Sequence, residues 1–259
     1  MSVVHDIIAA PIGRYDSRLI VSRIGSPASL ADLDGKRGYL MVSVKNCSFT
    51  TQVVETFCDL VESHLEAGEV ILVDAPYLAP ILASEPDGEQ RRRKISNLQK
   101  AASDRRRFIE TILARRELSI PIRDFGEVER DVVPDLRREV RYAFDSDGQF
   151  REALLARSRE VIPATVPDAL LPRYAEFLVS EIPVLCHLYY AGGAPGVVDV
   201  YPGENPPLFW DIERGHFAGA LPQITALAAR SPGLVYVDVA PGRRLPDEST
   251  DASAMSEGR

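Results

Sequence analysis

The chain has 259 residues, of which 45% are hydrophobic, a formal net charge of −8 and three cysteines. That is enough apolar material for a sizeable core without cross-links, and Cys47, Cys58 and Cys186 lack the spacing of a disulfide framework, a zinc site or a redox pair. The acidic balance argues against a general nucleic-acid coat, Asp and Pro interrupt the apolar runs that a membrane span would need, and Met1–Gly13 carries Asp6 without a basic start, so a cytoplasmic protein with no membrane partner is expected.

In chain order, the first clear element is a buried strand, "YLMVS" (39–43). Val53, Val54, Phe57, Leu60, Val61 and His64 then recur at helical spacing, and Gly68 follows as a stop. "VILVDAP" (70–76) reads as a second buried strand. Continuous apolar strands on either side of a helix make a βαβ unit in a parallel sheet. Residues 91–116 then hold ten Lys and Arg against two acids, a local charge of +8 that leaves −16 on the remainder. Ile95, Leu98, Ala102, Ile109 and Ile112 form the apolar stripe of a helix, with Arg93, Lys100 and Arg107 on its other faces. Such a segment is either the footprint of a polyanion or a solvated helix face.

One charged helix is expected over roughly 128–160. Residues 167–190 read as a mostly apolar helix interrupted at Pro183, and "VVDVY" (197–201) and "LVYVDVA" (234–240) read as later strands. From about Pro241 the residues are small and polar, which predicts disorder. With no internal repeat or dividing linker, these elements predict a single α/β domain over 15–241 and a tail over 242–259.

In an open parallel sheet, ligands bind beyond the carboxyl ends of the strands. Ser43 and Asn46 fall at that edge, in the first βα turn. Ser43 is either a nucleophile or the cap of the next helix. No G-x-S-x-G elbow surrounds it, and His5, His64, His187 and His216 show no triad spacing. A serine without a histidine partner needs a substrate that is already activated, or a different base. Glu181 interrupts the apolar run "FLVSEIPVL", and Phe177 shares its helical face. A carboxylate there is either paired with an arginine or poised at a cleft. Tyr201 ends a strand before Pro202 and Gly203, as a turn residue or a site residue. Walker A and G-x-G-x-x-G sequences are absent, "AGGAPG" (191–196) reads as a plain loop, and no Cys/His set has zinc spacing. No cofactor and no metal are expected.

Taken in order, these pieces resemble the cyclodipeptide synthases, which join two aminoacyl groups from aminoacyl-tRNAs into a cyclic dipeptide. The resemblance rests on Ser43 and Asn46 in "VSVKN", "VILVD" at the next strand, the basic helix, "FLVSEIP" with Glu181 and Pro183, and Tyr201 in "VDVYP". It implies a Rossmann-like parallel sheet flanked by helices, similar to the catalytic domain of class I aminoacyl-tRNA synthetases of the tyrosyl and tryptophanyl type. By that resemblance Ser43 accepts the first aminoacyl group as an ester and Asn46 shapes its site. Glu181 holds the α-amine, and Tyr201 relays a proton during ring closure. Arg91, Arg92, Arg93, Lys94, Lys100, Arg105 and Arg107 would hold the tRNA backbone of the aminoacyl-tRNA partner, and the protein would act as a monomer. The chain departs from the family pattern at three substrate-binding positions. Phe177 replaces a tyrosine, Met41 a glycine two residues before the serine, and Lys45 a glycine that often precedes the asparagine. The departures bear on the product. They leave open a transferase that passes a single aminoacyl group to another amine, and a tRNA-binding protein without catalysis.

Overall fold

The computed structural model of the chain describes residues 3–9, 15–24, 29–74, 88–161, 167–191, 196–203 and 207–244, with Pro76 and Leu78. The strands are β1 (Val3–Ala9), β2 (Tyr15–Ile24), β3 (Arg37–Ser43), β4 (Ala67–Val73), β5 (Ile122–Asp124), β6 (Val197–Tyr201) and β7 (Leu234–Arg244). They form one sheet in the order β1-β2-β7-β6-β3-β4-β5. From β5 to β7 the neighbours are parallel, whereas β1 and β2 run antiparallel along one side. The parallel part is doubly wound, and its order reverses between β3 and β6. That reversal opens a crevice at the carboxyl ends of those two strands.

Alternation along the strands sorts the core into two layers. Leu40, Val42, Val70, Leu72, Val198 and Val200 face α1 (Thr51–Ser63) and the C-terminal half of α2 (Gly88–Arg115). Tyr39, Met41, Ile71, Val73 and Val197 face the opposite layer. That layer holds α3 (Phe125–Asp131), α4 (Pro134–Ser146), α5 (Gly148–Val161), α6 (Leu171–Cys186), α7 (Pro207–Glu213) and α8 (Pro222–Arg230). Gly38 and Gly68 are paired across β3 and β4 and let α1 approach closely. A Cβ at Gly38 would come within 2.4 Å of Leu65, and one at Gly68 within 2.4 Å of Val61, with Phe57 close to both.

Several expectations change. The sheet is mixed rather than purely parallel, because β1 and β2 add an antiparallel flank. It also exceeds the expected domain at both ends: β1 precedes residue 15, and residues 242–244 are strand rather than tail. Residues 245–259 lie outside the described residues. The single helix foreseen over 128–160 is three, α3 to α5. Val132 and Val133 leave helical geometry just before Pro134, and Asp147 does so before Gly148. Pro183 does not interrupt its helix. α6 runs through it to Cys186, and a π-helical turn over His187–Ala191 follows.

Candidate active site at the carboxyl edge of the sheet

Ser43 is the last residue of β3 and is 8% exposed. It shares a sheet face with Tyr39 and Met41, which directs it toward the layer that contains α6. The following helix starts at Thr51 with Thr50 as its N-cap, so Ser43 does not cap it. The intervening loop is built by short-range bonds. The backbone N–H of Asn46 donates to the carbonyl of Ser43 at 3.2 Å, and the N–H of Ser48 donates to Asn46 Oδ1 at 2.8 Å. That turn leaves Asn46 Nδ2 free to reach across the crevice, where it donates to Tyr201 Oη at 3.2 Å. Phe49 meets the Tyr201 ring edge-on, with centroids 5.3 Å apart. Asn46 and Tyr201 are thus joined at the switch point, one loop from Ser43.

Helix α6 forms because Ala175, Leu178, Val179, Ile182 and Cys186 repeat at helical spacing and are buried. Phe177 and Glu181 share the adjoining face, and Phe177 packs against the same core as Met41. The Glu181 side chain makes no hydrogen bond or ion pair among the described residues, so the arginine salt bridge weighed from sequence is not formed. Burial pushes its carboxyl up to about 7. Arg157 on α5 opposes the rise and Asp199 on β6 adds to it. Arg157 itself pairs with Glu160.

Asp199 was not foreseen. It is 5% exposed, and burial pushes it up to about 7 although Tyr189 Oη donates to its Oδ2 at 2.7 Å. The only sequence signal for it was an acid in the middle of the apolar run "VVDVY".

The basic helix divides into two halves that differ in what their cations meet. Its first half packs Leu98, Ile95 and Ala102 on Val44, beside the Ser43 loop, and exposes Arg92, Arg93, Lys94 and Lys100. Arg91 is half-buried there. Lys45 is exposed, yet desolvation and then the charge of Lys94 hold its ammonium below the ordinary lysine range. In the second half most of the cations serve the fold. Arg106 donates to the Ile122 carbonyl at 3.2 Å and to Asp124 at 2.9 Å, and Arg116 pairs with Asp59 at 2.5 Å. Arg107 is exposed and pairs with Asp104 at 2.5 Å. Arg105, grouped by sequence with the tRNA-binding cations, points inward. Its Nη1 donates to the Phe49 carbonyl at 2.7 Å and its Nη2 to the Asn46 carbonyl at 3.1 Å. It brackets the loop that carries Asn46.

Of the three cysteines, Cys58 and Cys186 are buried, whereas Cys47 is exposed in the loop after Ser43. Among the described residues, no group of His, Cys, Asp and Glu is arranged to hold a metal ion, and no helix is long and apolar enough to cross a membrane. Two surface clefts lie elsewhere, one between α4 and α8 and one at the amino ends of β3 and β4.

No family model and no curated protein matches the chain. Solved structures do. A cyclodipeptide synthase from Bacillus thermoamylovorans matches with a TM-score of 0.60 at 18% identity, over 84% of this chain and 92% of its own. A cyclo(L-leucyl-L-phenylalanyl) synthase matches at 0.59 and 17%, over 86% and 98%. The Mycobacterium tuberculosis protein whose structure relates cyclodipeptide synthetases to type I tRNA synthetases matches at 0.60 and 16%, over 86% and 93%. The chain has the cyclodipeptide synthase fold. Within the cyclodipeptide synthase fold as this chain builds it, Ser43, Asn46 and Tyr201 gather at the switch point, and Glu181 stands on the helix that the Ser43 face of the sheet packs against.

Proposed function

We propose that the protein is an aminoacyl-tRNA-dependent cyclodipeptide synthase that works through an aminoacyl ester on Ser43. The observation that carries this reading is the Asn46–Tyr201 hydrogen bond at the switch point, which ties two residues 155 positions apart to the loop after Ser43. In the first step Ser43 Oγ attacks the ester carbonyl of an aminoacyl-tRNA. The Oγ–C bond forms, the bond to the ribose oxygen breaks, and the hydroxyl proton ends on that oxygen. The donor is already an activated ester, which suits a serine without a histidine partner.

The α-amine of the acyl-enzyme then attacks the ester of a second aminoacyl-tRNA, releasing the second tRNA and leaving a dipeptide on Ser43. Glu181 accepts a hydrogen bond from the α-ammonium and takes its proton as the amine becomes a nucleophile. Finally the new terminal amine attacks the Ser43 ester. The second peptide bond closes the ring, and Oγ recovers its proton through Tyr201, held in place by Asn46. Exposed cations on the first half of α2 and Lys45 receive the tRNA phosphates.

A transferase that passes one aminoacyl group to another amine is the second reading. Phe177 favours it, because a phenyl ring offers the bound amine no hydroxyl. Incubation with radiolabelled aminoacyl-tRNA, followed by mass spectrometry of small products, tests both. Covalent label on the wild type, none on Ser43→Ala, and a cyclic dipeptide are expected. Label with single-residue adducts would move the assignment to the second reading. Equal label on Ser43→Ala would remove Ser43 as nucleophile.

A further inference from the structure

Below the Ser43 loop, the parallel register sets Asp199 between Tyr39 of β3 and Tyr236 of β7. All three are more than nine-tenths buried. Alternation puts this row on the face that carries Met41 and Ser43, four residues deeper along β3, about 13 Å at the usual rise per residue. The polar groups nearest the row are mostly committed elsewhere. Tyr236 Oη donates to the Gly203 carbonyl, and the Tyr39 hydroxyl is taken up with Arg37. Arg157 pairs with Glu160. Tyr189 satisfies only Asp199 Oδ2. Asp199 Oδ1 is buried and has no hydrogen-bond partner among the described residues. A buried acceptor in that state is costly and calls for a donor.

We infer that Asp199 forms the floor of the acyl pocket and selects an amino acid whose long, slender side chain ends in a cation, as in lysine or arginine. This rests on the reading of Ser43 as acyl acceptor. Depth separates the side chain from the α-ammonium. The α-ammonium stays within two bonds of the carbonyl held at Ser43. The π turn that follows α6 lies against β6, where Tyr189 reaches Asp199, and β6 starts at Val197, so α6 runs back toward the amino ends of the strands. Its side chains lean toward its own N-terminus, which brings Glu181 up toward the Ser43 level. Asp199 lies deeper, where only an extended side chain arrives. Charge decides the head group, since the unpartnered acceptor is a carboxylate oxygen of Asp199, and Arg157, the cation that acts on both Glu181 and Tyr236, is paired with Glu160. Met41, buried on the same face between Tyr39 and Ser43, narrows the way down and suits an unbranched stem.

The test supplies wild-type protein with a pool of tRNAs charged with all common amino acids, and reads both the product masses and the mass of the adduct on the Ser43 peptide. A lysine or arginine in the product or adduct is expected. Asp199→Leu, and Asp199→Asn as the nearly isosteric control, should lower that cationic yield at least tenfold. Asp199→Leu should also raise the yield of apolar residues. Product and adduct containing only apolar residues would overturn the inference while leaving the acyl-enzyme standing, and this comparison needs no variant to fold. Unchanged cationic preference in both variants would overturn it as well. Neither product nor adduct would remove the acyl-enzyme reading and this inference with it.

Discussion

Glu181 is the residue at which burial and chemistry meet. A carboxylate that receives an ammonium must be ionised, and burial, the largest cause, holds this one at about 7 in the free protein. In the proposed reaction, acid uptake by Glu181, and by Asp199, which burial also pushes up to about 7, opposes substrate binding, so kcat/KM should climb as pH rises through about 7, because that ratio reports groups of the free enzyme. The surrounding charges set the direction of the next change. Arg157 on α5 pulls the Glu181 carboxyl down, Asp199 on β6 pushes it up, and Tyr189 and Tyr236 beside Asp199 stay neutral because burial raises both hydroxyls. Asp199→Asn removes the upward push, so the climbing limb should move to lower pH. Measuring kcat/KM from pH 5 to 9 for wild type and Asp199→Asn, with whichever aminoacyl-tRNA each still accepts, checks this. A limb that stays put or moves to higher pH would show that Asp199 does not act on Glu181. Phe177 matters beside this pair, since one turn from Glu181 on α6 it offers the amine no hydroxyl.

Helix α2 is the element whose two halves do different work, and Arg105 sits at the join. Its planar fork spans the carbonyls of Asn46 and Phe49, and both of those residues touch Tyr201. Arg105→Gln should therefore lower kcat by about tenfold or more, since small misplacements of reacting groups cost that much, and change KM for aminoacyl-tRNA little. Arg105→Lys keeps the charge but not the fork and should fail to restore the rate. A raised KM with unchanged kcat, rescued by lysine, would make Arg105 a phosphate contact instead. Sequence alone had no means of finding this bracket, because one arginine in an arginine-rich helix looks like the next. The parallel strands β3, β4, β6 and β7 were legible because burial on both faces makes their apolar runs continuous. The flank β1–β2 was not, because polar residues such as His5, Asp6, Asp16 and Arg18 break its pattern. The end of α3 could have been read from Pro134, which disfavours helical geometry in the residue before it. Ser43, Asn46, Glu181 and Tyr201 entered through their order along the chain. The meeting of Asn46 with Tyr201 depends on β3 and β6 being neighbours, which no local pattern states.

For the molecule as a whole, charge is sorted rather than balanced. A body of −16 carries a segment of +8, and the fold sets the exposed cations of that segment beside the loop after Ser43. An acidic body repels a polyanion, so under the proposed function the arrangement would orient a tRNA as well as hold it. The structure also says which cations to test. Arg105, Arg106 and Arg116 are engaged within the fold, whereas Arg92, Arg93 and Lys100 are exposed and make no ion pair among the described residues. Each phosphate contact releases counterions, so log K for tRNA should fall linearly with log salt concentration, and each lost contact should flatten that slope by about 0.7 to 0.9. The triple change Arg92→Gln, Arg93→Gln and Lys100→Gln should then reduce the slope by about 2 to 3 and weaken binding at low salt, with little dependence on tRNA sequence. Neutralising exposed residues should leave the melting temperature nearly unchanged, which separates lost contacts from lost fold. Equilibrium binding of tRNA across a salt series measures both slope and affinity. Equal slopes for wild type and the triple variant would reduce the stripe to a solvated helix face and leave the approach of tRNA to Lys45 and its neighbours.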